Sequence, residues 1–198
     1  VVIGRQSGDV VTTQDSLTLV GKSAGSAIND NGANGTVAVG ASALGALTSG
    51  TMNLAIGYQA QASQTTGNRN TVIGHQAMYT ADGGEDFNTI IGSQSGYYIN
   101  NDASHDNVII GKNALQGGTG EIIGCVAIGS NAMDAVSNGN QTGTVAIGTD
   151  ALGALTSGAG NVAVGYKAGL ALTSGDGNTA VGYESLFTDD LGFGTTAI

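Results

Sequence analysis

The chain is poor in the residues that usually anchor a deep core or restrict a backbone. Among its 198 residues are no proline, no tryptophan and one cysteine, with only three phenylalanines and six tyrosines. The lone Cys125 excludes an intrachain disulfide framework, and the lack of proline excludes a collagen-like triplet despite 35 glycines. The apolar 40% consists mainly of Ala, Val, Ile and Leu, which indicates a thin, layered core.

Positive charge is also scarce. Five Lys and Arg residues stand against fifteen Asp and Glu residues, which gives a formal net charge of −10. Such a surface repels nucleic-acid phosphates and anionic membranes, so we expect no nucleic-acid partner. No apolar run is long enough to cross a bilayer, so we expect no membrane insertion.

The chain is built on a repeat, typified by NTVIG at 70–74, NTIIG at 88–92 and NTAVG at 178–182. The residue before the repeat glycine is Val or Ile in all twelve copies, counting Ile198. The repeat glycines recur at nearly constant intervals and are Gly4, Gly21, Gly40, Gly57, Gly74, Gly92, Gly111, Gly129, Gly148, Gly165 and Gly182. Residues 1–198 are therefore expected to be a single repetitive segment of about 11 repeats. Because it begins and ends inside the motif, we expect an excerpt of a longer polypeptide.

The β-branched run before each repeat glycine predicts a short strand. Successive side chains of a strand point to opposite faces, and both faces are apolar here, so the column that includes Ile110 is expected to be core. One coil encloses only a narrow interior, so we expect a return strand over one face and further copies of the chain over the other. The predicted fold is all-β, a repetitive parallel β-roll or β-prism solenoid with about 17–19 residues per rung, assembled as a homotrimer.

A monomeric left-handed β-helix is the alternative fold. It requires an inward aliphatic residue at every sixth position or so, and polar stretches such as QTTGNRN at 64–70 do not supply one.

Asparagine dominates the position four residues before the repeat glycine. This asparagine column comprises Asn53, Asn70, Asn88, Asn107, Asn161 and Asn178. Stacked amides can hydrogen-bond to one another and to turn backbone along a β-stack, so we predict such a ladder. The repeat glycine is expected to supply a positive φ or a close backbone approach.

Two acidic loops are the candidates for a metal. DGGED at 82–86 and NDNG at 29–32 offer the oxygen ligands that calcium prefers, although neither has the spacing of a known calcium loop. His105, with Asp102 and Asp106, forms a second, more scattered set of possible ligands. We therefore predict no cofactor and no metal site, and calcium in the acidic loops remains the open hypothesis.

No catalytic residue is predicted, and we do not expect an enzyme. His75 follows a repeat glycine where other copies have Tyr58, Tyr166 and Tyr183, so it is expected to be a surface residue. Cys125 occupies the asparagine column and is expected to act as a small, partly buried apolar residue. Arg5, Lys22 and Lys112 also follow repeat glycines and are expected at the edge of a rung.

The segment GNVAVGYKAGLALTSGDGNTAVGYESL at 160–186 resembles the repeats of phage tail fibres and related surface proteins that end in an endosialidase-type chaperone domain. It is similar, more distantly, to the head repeats of trimeric autotransporter adhesins. The resemblance implies a homotrimeric shaft on a virion or outside a cell, where it spaces a receptor-binding tip from its base during host attachment. Its expected partners are its own copies and other fibre or virion components.

A carbohydrate-binding or depolymerising fibre, with sites in grooves between subunits, is the alternative function and would take cell-surface glycans as partners. Such a site favours clustered aromatic residues, and Tyr97 and Tyr98 are the only adjacent pair. An ice-binding solenoid is a third possibility, but its flat threonine array is interrupted by Val1, Val37 and Val108.

Overall fold

The computed structural model describes residues 1–9, 16–29, 32–188 and 192–198, and within them the chain forms strands and turns with no helix. None of the described residues therefore belongs to a helix that could span a membrane. The strands are β1 (Val2–Ile3), β2 (Thr18–Val20), β3 (Val37–Val39), β4 (Leu54–Ile56), β5 (Thr71–Ile73), β6 (Thr89–Ile91), β7 (Val108–Ile110), β8 (Ile122–Ile123), β9 (Val126–Ile128), β10 (Gln141–Thr142), β11 (Val145–Ile147), β12 (Val162–Val164), β13 (Thr179–Val181) and β14 (Thr196–Ala197).

Twelve of these strands form one parallel sheet, and all but β8 and β10 belong to it in chain order. Equivalent residues of successive repeats pair directly: Ala146 of β11 lies opposite Ala163 of β12, which lies opposite Ala180 of β13. Each coil of the chain therefore adds one strand to the stack. The prediction of an all-β, parallel β-solenoid is confirmed.

In each three-residue strand, only the middle residue enters the interior. Ile109 is fully buried, whereas its neighbours Val108 and Ile110 are partly exposed on the opposite face. The same pattern recurs from β2 to β13 wherever a strand has three residues, because side chains alternate along a strand. Within a single chain the core residue is therefore Ile109. The prediction that the Ile110 column is core stays a prediction, because Ile110 lies on the face that further copies of the chain were expected to cover.

Turn residues close the other side of the interior. After Gly40, for example, Ala43, Leu44 and Leu47 are all fully buried. A return strand was expected here, but in the described part of the chain this side forms strands only at β8 and β10, which pair with each other. Positive φ angles at the second and fourth residues after the repeat glycine, 55° at Asn113 and 38° at Leu115, curl the chain instead of extending it.

The predicted asparagine ladder is confirmed. The backbone N–H groups of Asn70, Asn88 and Asn107 each donate to the side-chain oxygen of the asparagine one rung earlier, at 3.0, 2.9 and 3.1 Å. The Nδ2 of Asn70 donates to the turn carbonyl of Glu85 at 2.7 Å, and other members of the column make equivalent bonds. These side chains are at most 1% exposed, so each buried amide is satisfied by the rungs around it.

Both expectations for the repeat glycine are confirmed. Gly111 has a φ of 139°, and a Cβ placed on it would lie 2.4 Å from the carbonyl oxygen of Gly129 in the next rung. Side chains are excluded there by both the backbone conformation and the contact. The same close approach holds Gly92 against Gly111, so the glycines form a continuous column of backbone contacts.

We expect Gly111→Ala to destabilise the chain by about 2 kcal/mol or more, because the methyl group forces two rungs apart. Gly124→Ala is the matched control, since Gly124 also has a positive φ, of 61°, but a Cβ there meets no atom within 4 Å. The control should lose about 1 kcal/mol. Urea unfolding measures both, and equal losses would contradict a steric role for the glycine column.

Candidate functional site

An apolar stripe runs along the outside of the twelve-stranded sheet. We call it the outer sheet face, and it consists of the first and third residues of each three-residue strand: Thr18, Val20, Val37, Val39, Leu54, Ile56, Thr71, Ile73, Thr89, Ile91, Val108, Ile110, Val126, Ile128, Val145, Ile147, Val162, Val164, Thr179 and Val181. None of them is charged. Ile56, Ile147 and Val181 are 36 to 37% exposed in the single chain, so the stripe presents a long apolar surface to its surroundings.

The residues that follow the repeat glycines border this face. His75 is exposed and stacks on Tyr58 with 5.5 Å between ring centroids, as the prediction of a surface role required. Tyr166 and Tyr183 stack in the same way at 5.4 Å. Arg5, Lys22 and Lys112 occupy the same column and are exposed, where they were expected.

Three carboxylates converge on the loop side of the coil, which is the side formed by the turns and loops between the strands of the twelve-stranded sheet. Asp82 and Glu85 lie between β5 and β6, Asp102 lies between β6 and β7, and one oxygen from each lies within 4.8 Å of the others. We call these three residues the acidic cluster. The structure thus joins the 82–86 loop to Asp102, one rung later. His105 stands apart from the cluster and pairs with Asp106, at 2.8 Å between Nδ1 and Oδ2.

The other candidate loop, 29–32, includes Asp30 and Asn31, which lie outside the described residues.

Glycines let Asp102 approach the 82–86 loop. The N–H of Gly84 donates to Oδ1 of Asp102 at 3.3 Å. A Cβ on Gly83 would lie only 1.7 Å from that same oxygen, so no other residue type fits there without moving Asp102. The N–H of Ala103 donates to the side chain of Asn101 at 3.0 Å, which orders the loop that carries Asp102.

Glu85 is the buried member of the acidic cluster, with 0% of its side chain exposed. Its Oε2 accepts weak hydrogen bonds from the N–H of Gly83 at 3.3 Å and from Nε2 of Gln64 at 3.4 Å, while its Oε1 has no hydrogen-bond partner. Burial, with smaller effects from Asp102 and Asp82, raises the pKa of Glu85 from 4.5 to about 7.

Two buried glutamines support this loop from inside the coil. Gln61 and Gln64 replace residues equivalent to Leu44 and Leu47 of the preceding rung, and both are fully buried. The Nε2 of Gln61 donates to Gln64, whose own Nε2 donates to the carbonyl of Glu85 at 3.0 Å. Sequence reasoning missed this group, although polar residues in otherwise aliphatic columns were the available signal.

Two surface grooves lie on the loop side. The first, of about 430 Å³, is lined by Gly84, Asp86, Phe87, Asp102, His105 and Asp106. The second, of about 360 Å³, is bordered by Tyr98, Asn100, Thr119 and Asn138, among others. Tyr98 is 52% exposed and meets Tyr97 edge to face, and Tyr97 stacks on Tyr79.

Cys125 is fully buried in the asparagine column, and its N–H donates to Oδ1 of Asn107 at 2.8 Å. Burial raises the pKa of its thiol, which disfavours the reactive thiolate. The residue therefore acts as an apolar filler, as expected, and is more deeply buried than the sequence indicated.

With divalent cations removed by a chelator, we expect stability to fall as the pH rises from about 4.5 to 7. The folded chain keeps the Glu85 proton to a higher pH than the unfolded chain does, so deprotonation favours unfolding across this window. Asp134, whose pKa is also raised by burial, contributes with the same sign.

Thermal melts of Glu85→Gln against the parent isolate the effect of Glu85, because Asp134 is common to both. The variant should show a clearly smaller loss of melting temperature between the two ends of this pH range. Identical pH profiles of the variant and the parent would contradict the assignment of a raised pKa to Glu85.

No family model, curated protein sequence or solved structure matches the chain.

Proposed function

We propose that this chain is the shaft of a homotrimeric fibre on a virion or outside a cell, and that it spaces a receptor-binding tip from its base during host attachment. The observation that carries the proposal is the outer sheet face, an uncharged surface over ten stacked strands that consists of Val, Ile and Leu apart from four Thr. Single exposed aliphatic residues are ordinary, whereas a continuous apolar stripe of this length marks an interaction surface.

The partner best suited to this face is another copy of the same chain. The apolar side chains recur once per rung, at the strand spacing of about 4.8 Å. A second chain with the same repeat can match every rung in parallel, whereas an unrelated surface would match only a few. Three flat faces around a common axis would enclose the Val, Ile, Leu and Thr side chains in one dry core, and the resemblance to fibre-shaft repeats favours three copies over two.

A spacer role agrees with how the rungs are connected. Backbone pairing, the asparagine ladder and the glycine column each join a rung only to its neighbours. Stability in such stacks is close to a sum over rungs and their interfaces, so length can change without a new fold. The twelve strands span about 50 Å, and further repeats would extend the rod by about 4.8 Å each.

Light scattering on the folded chain should give three times the single-chain mass of 19.4 kDa. Ile110→Asp should lower this mass and cost about 3 kcal/mol or more, because each copy would bring a carboxylate into the shared core. Ile109→Asp should unfold the chain itself, since Ile109 is fully buried within one copy.

Met52→Asp is the matched control. Met52 lies outside the strands and is 57% exposed, so the same negative charge should leave the mass and the stability nearly unchanged. A parent chain that is a stable monomer, or an Ile110→Asp variant as heat-resistant and trimeric as the parent, would contradict the proposal.

Glycan binding is a second candidate function, and the groove beside Tyr98 favours it. An exposed aromatic ring next to amide and hydroxyl groups is a common arrangement for binding a sugar ring. Tyr98→Ala should abolish binding to any glycan that the parent retains on a glycan array. Tyr183→Ala removes a more exposed tyrosine from a different column and is the control. An array with no retained glycan would exclude this second function.

A further inference from the structure

The acidic cluster lacks the positive partner that usually accompanies converging carboxylates. In the described part of the chain the ion pair found joins His105 to Asp106, so neither Lys nor Arg neutralises Asp82, Glu85 or Asp102. The whole chain has only five such cations. Three carboxylate oxygens within 4.8 Å of one another repel strongly unless protons or a bound cation compensate them.

The buried oxygen of Glu85 is an independent sign of a missing ligand. Buried polar atoms in folded proteins nearly always have a partner, and a carboxylate oxygen without one is especially costly. Oε1 of Glu85 has none, although the side chain is fully enclosed. The carboxylate that carries this unpartnered oxygen is one of the three in the acidic cluster.

We propose that Asp82, Glu85 and Asp102 bind a calcium ion. Calcium prefers oxygen ligands at about 2.4 Å, so two ligands on opposite sides of the ion lie about 4.8 Å apart. The cluster oxygens lie within 4.8 Å of one another, which is close enough for the group to hold one ion after small side-chain adjustments. Asp82 and Asp102 are exposed, which leaves room for the water molecules that complete the coordination of calcium.

Calcium would link two successive rungs beside a polar part of the interior. Asp82 and Glu85 belong to one rung and Asp102 to the next. The rung just before them carries Gln61 and Gln64 in place of core aliphatic residues. An ion shared by two rungs would therefore hold them together next to this polar part of the interior. The inference concerns each chain separately and does not depend on trimerisation.

The test is calcium binding by the full chain after treatment with a chelator. Equilibrium dialysis against calcium chloride, read by elemental analysis, should find one calcium ion per chain, and calcium should raise the melting temperature. Glu85→Gln and Asp102→Asn should each weaken binding by about tenfold or more, because loss of even an outer partner of a metal ligand has an effect of this size. Asp102 is exposed, so Asp102→Asn remains informative if Glu85→Gln folds poorly.

Asp106→Asn is the matched control. It removes the same charge from the groove that Asp102 lines, but Asp106 does not belong to the acidic cluster. Its calcium affinity should stay close to that of the parent. Absence of bound calcium at millimolar concentration, or equal weakening by Asp106→Asn and Asp102→Asn, would overturn the proposal. Neither result would bear on the fibre proposal, which is decided by the mass of the assembly.

Discussion

Direct contact between the repeat glycines of successive rungs is the constraint on which the rest of the stack depends. A Cβ added to Gly40 would lie 2.2 Å from the carbonyl oxygen of Gly57. A Cβ added to Gly57 would lie 2.3 Å from the carbonyl oxygen of Gly74. This contact holds consecutive coils at the spacing of neighbouring strands. Strand pairing in an unshifted register requires that spacing. The asparagine ladder requires it too, because an asparagine side chain can hydrogen-bond to the next rung only if no other side chain separates the coils.

A coil held this tightly leaves a thin interior, and in several rungs the interior combines one small and one large residue. Where the middle strand residue is large, as Ile90 is, the residue six positions later is Gly96, whose added Cβ would lie 3.0 Å from Ile90. Where it is small, as Ala127 is, the equivalent residue is Met133, and both are fully buried. These rungs fill the interior with different residues. Other rungs do not follow the rule, since Ile109 with Leu115 combines two large buried residues and Ala163 with Gly169 combines two small ones.

The features that recur at a constant spacing were predictable from the sequence. The glycine column is explained by close backbone contact between rungs, and the asparagine column by hydrogen bonds between rungs. The structure shows both. Which face of the strand lies inside was not predictable, because Ile109 and Ile110 are both aliphatic and alternation alone does not distinguish them. The acidic cluster was only half predicted, since its members lie on two loops that belong to rungs of unequal length. Until the strand register is known, the sequence does not show that Glu85 lies close to Asp102 rather than to His105.

The longer rungs carry most of the loop-side features. The four successive rungs between Gly74 and Gly148 are each one or two residues longer than the rungs that follow Gly40, Gly57, Gly148 and Gly165. These four contain β8, β10, the acidic cluster and the linings of both grooves. Added residues leave the sheet unchanged there, because β5 to β11 keep the same pairing as the rest. The extra length is confined to the loop side, away from the outer sheet face. The loop side can therefore vary in length and in its exposed side chains while the outer sheet face stays the same, and the proposed assembly of copies through that face would require this separation.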